Sequence, residues 1–267
     1  MKPHTSARDL SRLVKPKTRS HKWQNGSILV IGGSHRYHGA PLLAVSAAAR
    51  FVDIVHFACD ENYRSILPKM RGKLFEFIPV FSRELTTYIQ HVDVVLMGPG
   101  LELTIRNKRL IRNIQKRFTD KRLIFDAGAF RLANIKLFNS CCILSPNQKE
   151  FTDVFKISRT PAHVRALAKQ LDCTIVAKGP TTYIASAKHY AENTTGNAGL
   201  TKGGTGDVLA GILAAFLTKN DPFSSAKAAS FLLGKTAEKL WKTRGYAFSA
   251  TDVLEEIPKV FGKYTRT

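Results

Sequence analysis

Short apolar runs rich in β-branched residues recur along the chain at Ser27–Ile31, Asp53–Cys59, Val92–Met97, Leu123–Phe125, Cys142–Leu144 and Thr174–Ala177. Between them lie stretches with apolar residues at helical spacing, at Pro41–Phe51, Ile105–Phe118 and Pro161–Leu171. Runs that stay apolar at nearly every position, as Val92-Asp93-Val94-Val95-Leu96-Met97 does, suit strands covered on both faces, and the helical stretches supply the covering crossovers. The alternation predicts an α/β fold whose central, mostly parallel sheet carries helices on both faces. Beyond Thr205 the pattern turns helical throughout, with small and apolar residues at helical spacing over Phe223–Arg244. A last short helix is expected over Ser249–Val260, with a capping start at Thr251-Asp252. Residues 1–22 are polar and basic and carry Pro3 and Pro16. They predict a basic N-terminal arm with at most a turn or two of helix, ahead of one catalytic domain over residues 23–267.

In an open parallel sheet the ligand sits beyond the carboxyl ends of the strands, so the loops that follow strands carry the chemistry. Here they are rich in glycine: Gly32-Gly33-Ser34 through Gly39-Ala40 after the first, then Gly98-Pro99-Gly100, Asp126-Ala127-Gly128, Ser145-Pro146-Asn147 and Lys178-Gly179-Pro180-Thr181-Thr182. Glycine after a strand is usually plain turn chemistry, but its recurrence at the same relative place is harder to assign to turns alone. The strongest signal is Thr201-Lys202-Gly203-Gly204-Thr205-Gly206-Asp207, which runs directly into the apolar helical stretch Val208–Leu217. Glycines permit positive φ and close backbone approach, and the unpaired N–H groups of a first helical turn converge on an anion. Asp207 could serve as a simple helix cap. Three glycines exceed what capping needs, however, and an anion hole beside a carboxylate is what phosphate transfer to a hydroxyl requires. One part stabilises charge and the other removes a proton.

Composition narrows the classes. The chain has 267 residues, 44% of them hydrophobic, which suits one large core. No apolar run approaches the roughly 20 residues needed to span a bilayer, and the first residues lack the apolar region of a secretory signal. A cytoplasmic protein without membrane association is expected. Cys59, Cys141, Cys142 and Cys173 show no Cys-x-x-Cys spacing, so neither a zinc site nor a disulfide framework is indicated. With 41 Lys and Arg against 20 Asp and Glu, the formal net charge is +21. That charge predicts retention on polyanions at low salt, but the cations are scattered and not interleaved with aromatics, which argues against specific nucleic-acid binding. The first loop fits neither Gly-x-Gly-x-x-Gly nor Gly-x-x-x-x-Gly-Lys-Ser/Thr, no Gly-x-Ser-x-Gly elbow occurs, and His35 and His38 lack the spacing of a helical zinc pair.

Several of these segments together resemble one family. They are Ser20-His21-Lys22, Ile31-Gly32-Gly33-Ser34 with Tyr37 and Gly39-Ala40-Pro41, Gly98-Pro99-Gly100-Leu101, Ser145-Pro146-Asn147 with Glu150-Phe151, Lys178-Gly179, Gly203–Gly211 and Ser249-Ala250-Thr251-Asp252. From about residue 19 to the end the chain resembles the ADP- or ATP-dependent NAD(P)H-hydrate dehydratases, which have a ribokinase-like fold. Such enzymes repair reduced nicotinamide cofactors whose ring has been hydrated, using a nucleotide's terminal phosphate to activate the ring hydroxyl for elimination. The resemblance implies Asp207 as the base, and nucleotide contacts from Lys178, Gly179, Pro180, Thr181, Thr182, Gly203, Gly204, Thr205 and Gly206. It places Ala40, Gly100 and Asn147 with Asp207 against the hydrated dinucleotide. It also implies ADP, or else ATP, as phosphate donor, Mg²⁺ with ligands unknown, and a homo-oligomer. Several positions depart from the family pattern: Glu102 stands where a glycine is usual, the match at Asp126-Ala127-Gly128 is partial, Asn147 stands where many members have His, and Lys202 where a small residue is usual. A ribokinase-like kinase of a small alcohol, such as a thiazole or pyrimidine vitamin precursor, would share the glycine loop and the aspartate. A noncatalytic basic binding protein would leave Asp207 unexplained.

Overall fold

A computed structural model describes residues 4–59 and 76–265. The expected apolar runs become β1 (Ser27–Ile31), β2 (Ile54–Ala58), β4 (Val94–Met97), β5 (Arg122–Asp126), β6 (Cys142–Ser145) and β7 (Thr174–Ala177). Three further strands, β3 (Ile78–Val80), β8 (Thr182–Ala185) and β9 (Tyr190–Asn193), complete a nine-stranded sheet in the order β3-β2-β1-β4-β5-β6-β7-β8-β9. Strands β1 to β7 pair in parallel, and β8 pairs antiparallel with both β7 and β9. This is the mostly parallel α/β sheet that the sequence predicts.

Alternate strand residues feed two cores. Ile28, Val30, Val55, Phe57, Leu96, Ile124 and Ile143 face one layer, while Leu29, Ile31, Ala58, Met97, Leu123, Phe125 and Leu144 face the other. This period-2 division explains why the strands look apolar at every position: both faces are covered. The first face is covered by α1 (Ala7–Ser11), α2 (Gly39–Ala48), α8 (Thr205–Leu217), α9 (Pro222–Arg244) and α10 (Ala250–Thr265). The second lies under α3 (Leu85–His91), α4 (Ile105–Arg117), α5 (Ala127–Leu132), α6 (Gln148–Phe155) and α7 (Pro161–Gln170). α10 runs past Val260 despite Pro258 within it, and its cap is Ser249, whose N–H donates to Asp252 Oδ2 at 2.7 Å.

Residues 1–3 of the basic N-terminal segment lie outside the described residues. Its residues 5–15 are docked onto the fold. Leu10 is fully buried and Leu13 nearly so, Thr5 N–H donates to the Glu192 carbonyl at 3.0 Å, and Asp9 pairs with Lys227 at 2.6 Å. The polar composition of the segment conceals Leu10 within its short helix and Leu13 just beyond it, both buried against the fold.

α2 and α8 cross with their backbones in contact at Gly211. A Cβ there would fall inside the radius of the Ala44 carbonyl oxygen and 2.8 Å from Ala47 Cβ. Gly211→Ala should therefore force the helices apart, at a cost of about 2 kcal/mol. A lower melting temperature, with the far-ultraviolet circular dichroism of the native state unchanged, is the expected result. The contact matters for the site because α8 carries Asp207 in its first turn.

Candidate active site

The carboxyl ends of β5, β6 and β7 and the amino end of α8 meet in a cavity of about 750 Å³. Asp126 is the last residue of β5 and is 2% exposed. Glu150 sits in the first turn of α6, where it forms a reciprocal cap with Asn147: Glu150 N–H donates to Asn147 Oδ1 at 2.9 Å and Asn147 N–H donates to Glu150 Oε2 at 2.8 Å. Lys178 follows β7 directly, and its N–H donates to the Pro146 carbonyl at 2.8 Å, which locks the two neighbouring loops together. Its ammonium lies 2.6 Å from Asp126 Oδ1.

The glycine loop is shaped as the sequence requires. Gly204 is the residue before α8 and adopts φ 94°, in the left-handed region. A Cβ on it would stand 2.5 Å from Leu43 Cδ1 and 2.9 Å from Ala250 Cβ. Thr205 Oγ1 donates to the carbonyls of Leu200 at 2.6 Å and Lys202 at 2.9 Å, so the hydroxyl folds the loop back on itself. The amino end of this 13-residue helix, with Thr205, Gly206 and Asp207, lines the cavity.

The electrostatics single out Asp207. Burial raises its pKa to about 7, the carboxylates of Asp126 and Glu150 add to the rise, and the Lys178 ammonium partly opposes it. Burial also raises Glu150 above the usual carboxylate range, against the pull of Lys178 and the Asn147 N–H. For Lys178, burial alone would lower the pKa. The surrounding Asp126, Glu150 and Asp207 outweigh it and hold the ammonium above its ordinary value. The result is a permanently charged lysine between acidic groups, one of which titrates near neutrality. A carboxyl so placed can take a proton from a substrate hydroxyl at physiological pH.

Ten of the expected residues line this one cavity: Asn147, Lys178, Gly179, Pro180, Thr182, Gly203, Gly204, Thr205, Gly206 and Asp207. Thr181, Ala40 and Gly100 are not among its lining residues. The Thr181 carbonyl instead accepts from Arg159 Nη1 at 3.0 Å. Gly100 has φ 69° and packs against the first-strand loop, where a Cβ would meet the Tyr37 carbonyl oxygen and stand 3.1 Å from Pro41 Cδ. Ala40 belongs to that same loop–helix junction, at the carboxyl ends of β1 and β4, where the strand order reverses.

Sequence reasoning missed the role of Asp126 as the partner of Lys178 and the far wall of the cavity. That wall comes from Asn193–Ala198 after β9 and from Ser230, Leu233 and Gly234 in the middle of α9. Gly234 carries a usable signal: a glycine inside a long helix marks a close approach, here to Thr195, whose backbone carbon would lie 2.7 Å from an added Cβ. Among the described residues no group of three or more metal-ligating side chains is poised to hold a cation. Lys178 already supplies the positive charge among Asp126, Glu150 and Asp207.

A family model described as NAD(P)H-hydrate dehydratase matches residues 28–259. The chain belongs to that family. Its relatives include the bifunctional NAD(P)H-hydrate repair enzyme of Methanocaldococcus jannaschii, 34% identical over 94% of this chain and 51% of that protein. The ADP-dependent (S)-NAD(P)H-hydrate dehydratase of Cenarchaeum symbiosum is 31% identical over 97% of this chain and 96% of that one. The chain spans about half the length of the bifunctional relatives and nearly all of the ADP-dependent dehydratase. Among solved structures, a ribokinase-like superfamily protein from Enterococcus faecalis superposes with a TM-score of 0.88 at 26% identity, covering 99% of this chain and 97% of that chain. The Bacillus subtilis ADP/ATP-dependent NAD(P)H-hydrate dehydratase co-crystallised with ATP and Mg²⁺ superposes at 0.82 and 24% identity, covering 98% and 99%. These likenesses give the dehydratase family chain its ribokinase-like fold. Among the described residues no helix is long and apolar enough to cross a membrane.

Proposed function

We propose that the protein is an ADP-dependent (S)-NAD(P)H-hydrate dehydratase, repairing hydrated NADH and NADPH. The observation that carries this reading is Asp207, a carboxyl with a pKa of about 7 in the first turn of α8, facing the same cavity as the Lys178 ammonium. Asp207 removes the proton of the ring hydroxyl, and the alkoxide attacks the terminal phosphorus of the nucleotide. The bond from that phosphorus to the bridging oxygen breaks, and AMP leaves if the donor is ADP. The phosphate ester on the ring is a far better leaving group than hydroxide. Expulsion of phosphate by the ring nitrogen's lone pair, with loss of a proton from the adjacent carbon, restores the reduced nicotinamide. The N–H groups of Gly204, Thr205 and Gly206 hold the phosphoryl group as its charge develops.

Gly179, Pro180, Thr182 and Gly203 line the nucleotide's end of the cavity, and Thr181 shapes that loop from outside. Asn147 reaches the substrate from the cavity, while Ala40 and Gly100, at the carboxyl ends of β1 and β4, meet the rest of the dinucleotide. ADP is favoured over ATP by the full-length likeness to the ADP-dependent archaeal enzymes. Mg²⁺ enters with the nucleotide's phosphates as part of that substrate. A cytoplasmic homo-oligomer is the form in which we expect it to act.

The test is recovery of the reduced-nicotinamide absorbance when hydrated NADH and the protein are mixed with ADP, ATP or no nucleotide. Recovery that requires a nucleotide, and is faster with ADP, is the expected result. A phosphorylated alcohol that accumulates without restored absorbance would instead favour a small-alcohol kinase.

A further inference from the structure

Lys202 stands next to the glycine loop and lines the cavity, but its ammonium does not face the carboxylate cluster. It donates to the carbonyls of Tyr246 and Phe248, the latter at 2.7 Å, and lies 5.2 Å from the centre of the Phe248 ring. Both carbonyls belong to the linker between α9 and α10. That linker is anchored from below: Phe248 is 2% exposed, and its ring packs on Gly199, where a Cβ would be 2.5 Å from Cε1. Gly199 in turn sits in the helical turn Ala198–Thr201 that leads into the glycine loop. The Lys202 carbonyl accepts from Thr205 Oγ1 at 2.9 Å, so one residue ties the loop outward through its side chain and inward through its backbone. An ammonium gives strong charge-assisted hydrogen bonds to carbonyls, and a glycine-rich loop is the element with the most conformational freedom to lose.

We propose that Lys202 is a positioning residue for the nucleotide, clipping the glycine loop to the Tyr246–Phe248 linker so that Gly203–Gly206 are already in the form that receives the phosphate tail. The inference rests on the reading of that loop as a nucleotide phosphate site. Without the clip the loop samples other conformations, and nucleotide binding must order it each time, which weakens affinity without altering the chemical step.

The experiment compares wild type, Lys202→Met and Lys202→Arg in KM and kcat for ADP and ATP, and in the dissociation constants of both nucleotides measured calorimetrically with Mg²⁺. Lys202→Met is expected to raise KM and the dissociation constant about tenfold for both nucleotides, with kcat at saturation nearly unchanged. Lys202→Arg, whose guanidinium can still donate to both carbonyls, is expected to stay within about threefold of wild type. The melting temperature without nucleotide should fall by no more than a few degrees in Lys202→Met, because the contacts it loses are local to an exposed side chain. Unchanged nucleotide affinity in Lys202→Met, or a fall in kcat alone, would overturn the clip. A loss much larger for ATP than for ADP would also overturn it, by assigning Lys202 a direct phosphate contact. A wild type that binds neither nucleotide overturns the nucleotide reading itself, and the clip with it.

Discussion

Asp207→Asn is expected to lower turnover of hydrated NADH by on the order of a thousandfold while leaving nucleotide binding in place. Asn fills the same space at the start of α8 but cannot accept the hydroxyl proton. In the wild type the pH profile of kcat/KM should rise along one limb with its midpoint near the Asp207 value of about 7, because the ionised carboxylate is the active form. The same substitution should stabilise the fold in a pH-dependent way. The folded-state pKa of Asp207 is raised from 3.8 to about 7, so the folded state binds a proton that the unfolded state has already released. That contribution is fully present below the ordinary carboxylate value and is lost as pH rises through the folded value. Above it, the wild type carries a buried carboxylate that it would be more stable without. Melting temperatures of the Asn variant and the wild type should therefore coincide below the unfolded value of 3.8, draw apart as pH rises from there to about 7, and keep that separation above it, with the variant higher. A variant that melts lower throughout, or one that turns over at the wild-type rate, would remove Asp207 from the role of base.

Much of this site is legible in the chain because its parts are glycines and charges placed after apolar runs. β1 and β7 coincide with the expected runs, since short continuous apolar, largely β-branched stretches leave little choice of boundary. The strands β8 and β9 were not legible. They are four residues each, Thr182-Tyr183-Ile184-Ala185 and Tyr190-Ala191-Glu192-Asn193, and mix polar with apolar positions, as a sheet margin partly open to water allows. Thr182, expected in the nucleotide loop, opens β8 and lines the cavity. Asp126 shows a different limit. As a carboxylate ending an apolar strand it is visible in the sequence, but only the parallel pairing of β5 and β6, and of β6 with β7, brings it beside Lys178, 52 residues away. Asn147, which the resemblance places against the substrate, caps α6 with its side chain, a task its position in the sequence does not announce.

Lys178→Met is expected to cost both activity and stability, because this side chain is the cation shared by Asp126, Glu150 and Asp207. The pair with Asp126 is only 18% and 3% exposed on its two side chains, so removing the ammonium leaves a carboxylate in a poorly hydrated place without its partner. Breaking such a pair costs on the order of 3 kcal/mol. The loss should be largest at neutral pH and shrink under acid, where the remaining carboxyls take up protons and no longer repel one another. Lys178 is also the group that pulls the Asp207 pKa downward against burial and two neighbouring carboxylates. Without it the activity limb should move to higher pH, in addition to a fall in rate on the order of a hundredfold from lost charge stabilisation in the cavity. Arg would be a poor replacement. The ammonium fits against Gly206, where an added Cβ would stand 3.7 Å from Nζ, and the wider guanidinium would press on the turn that carries Asp207. Rates across pH for wild type, Lys178→Met and Lys178→Arg separate the two effects, since a purely structural loss lowers the plateau and leaves the midpoint where it was.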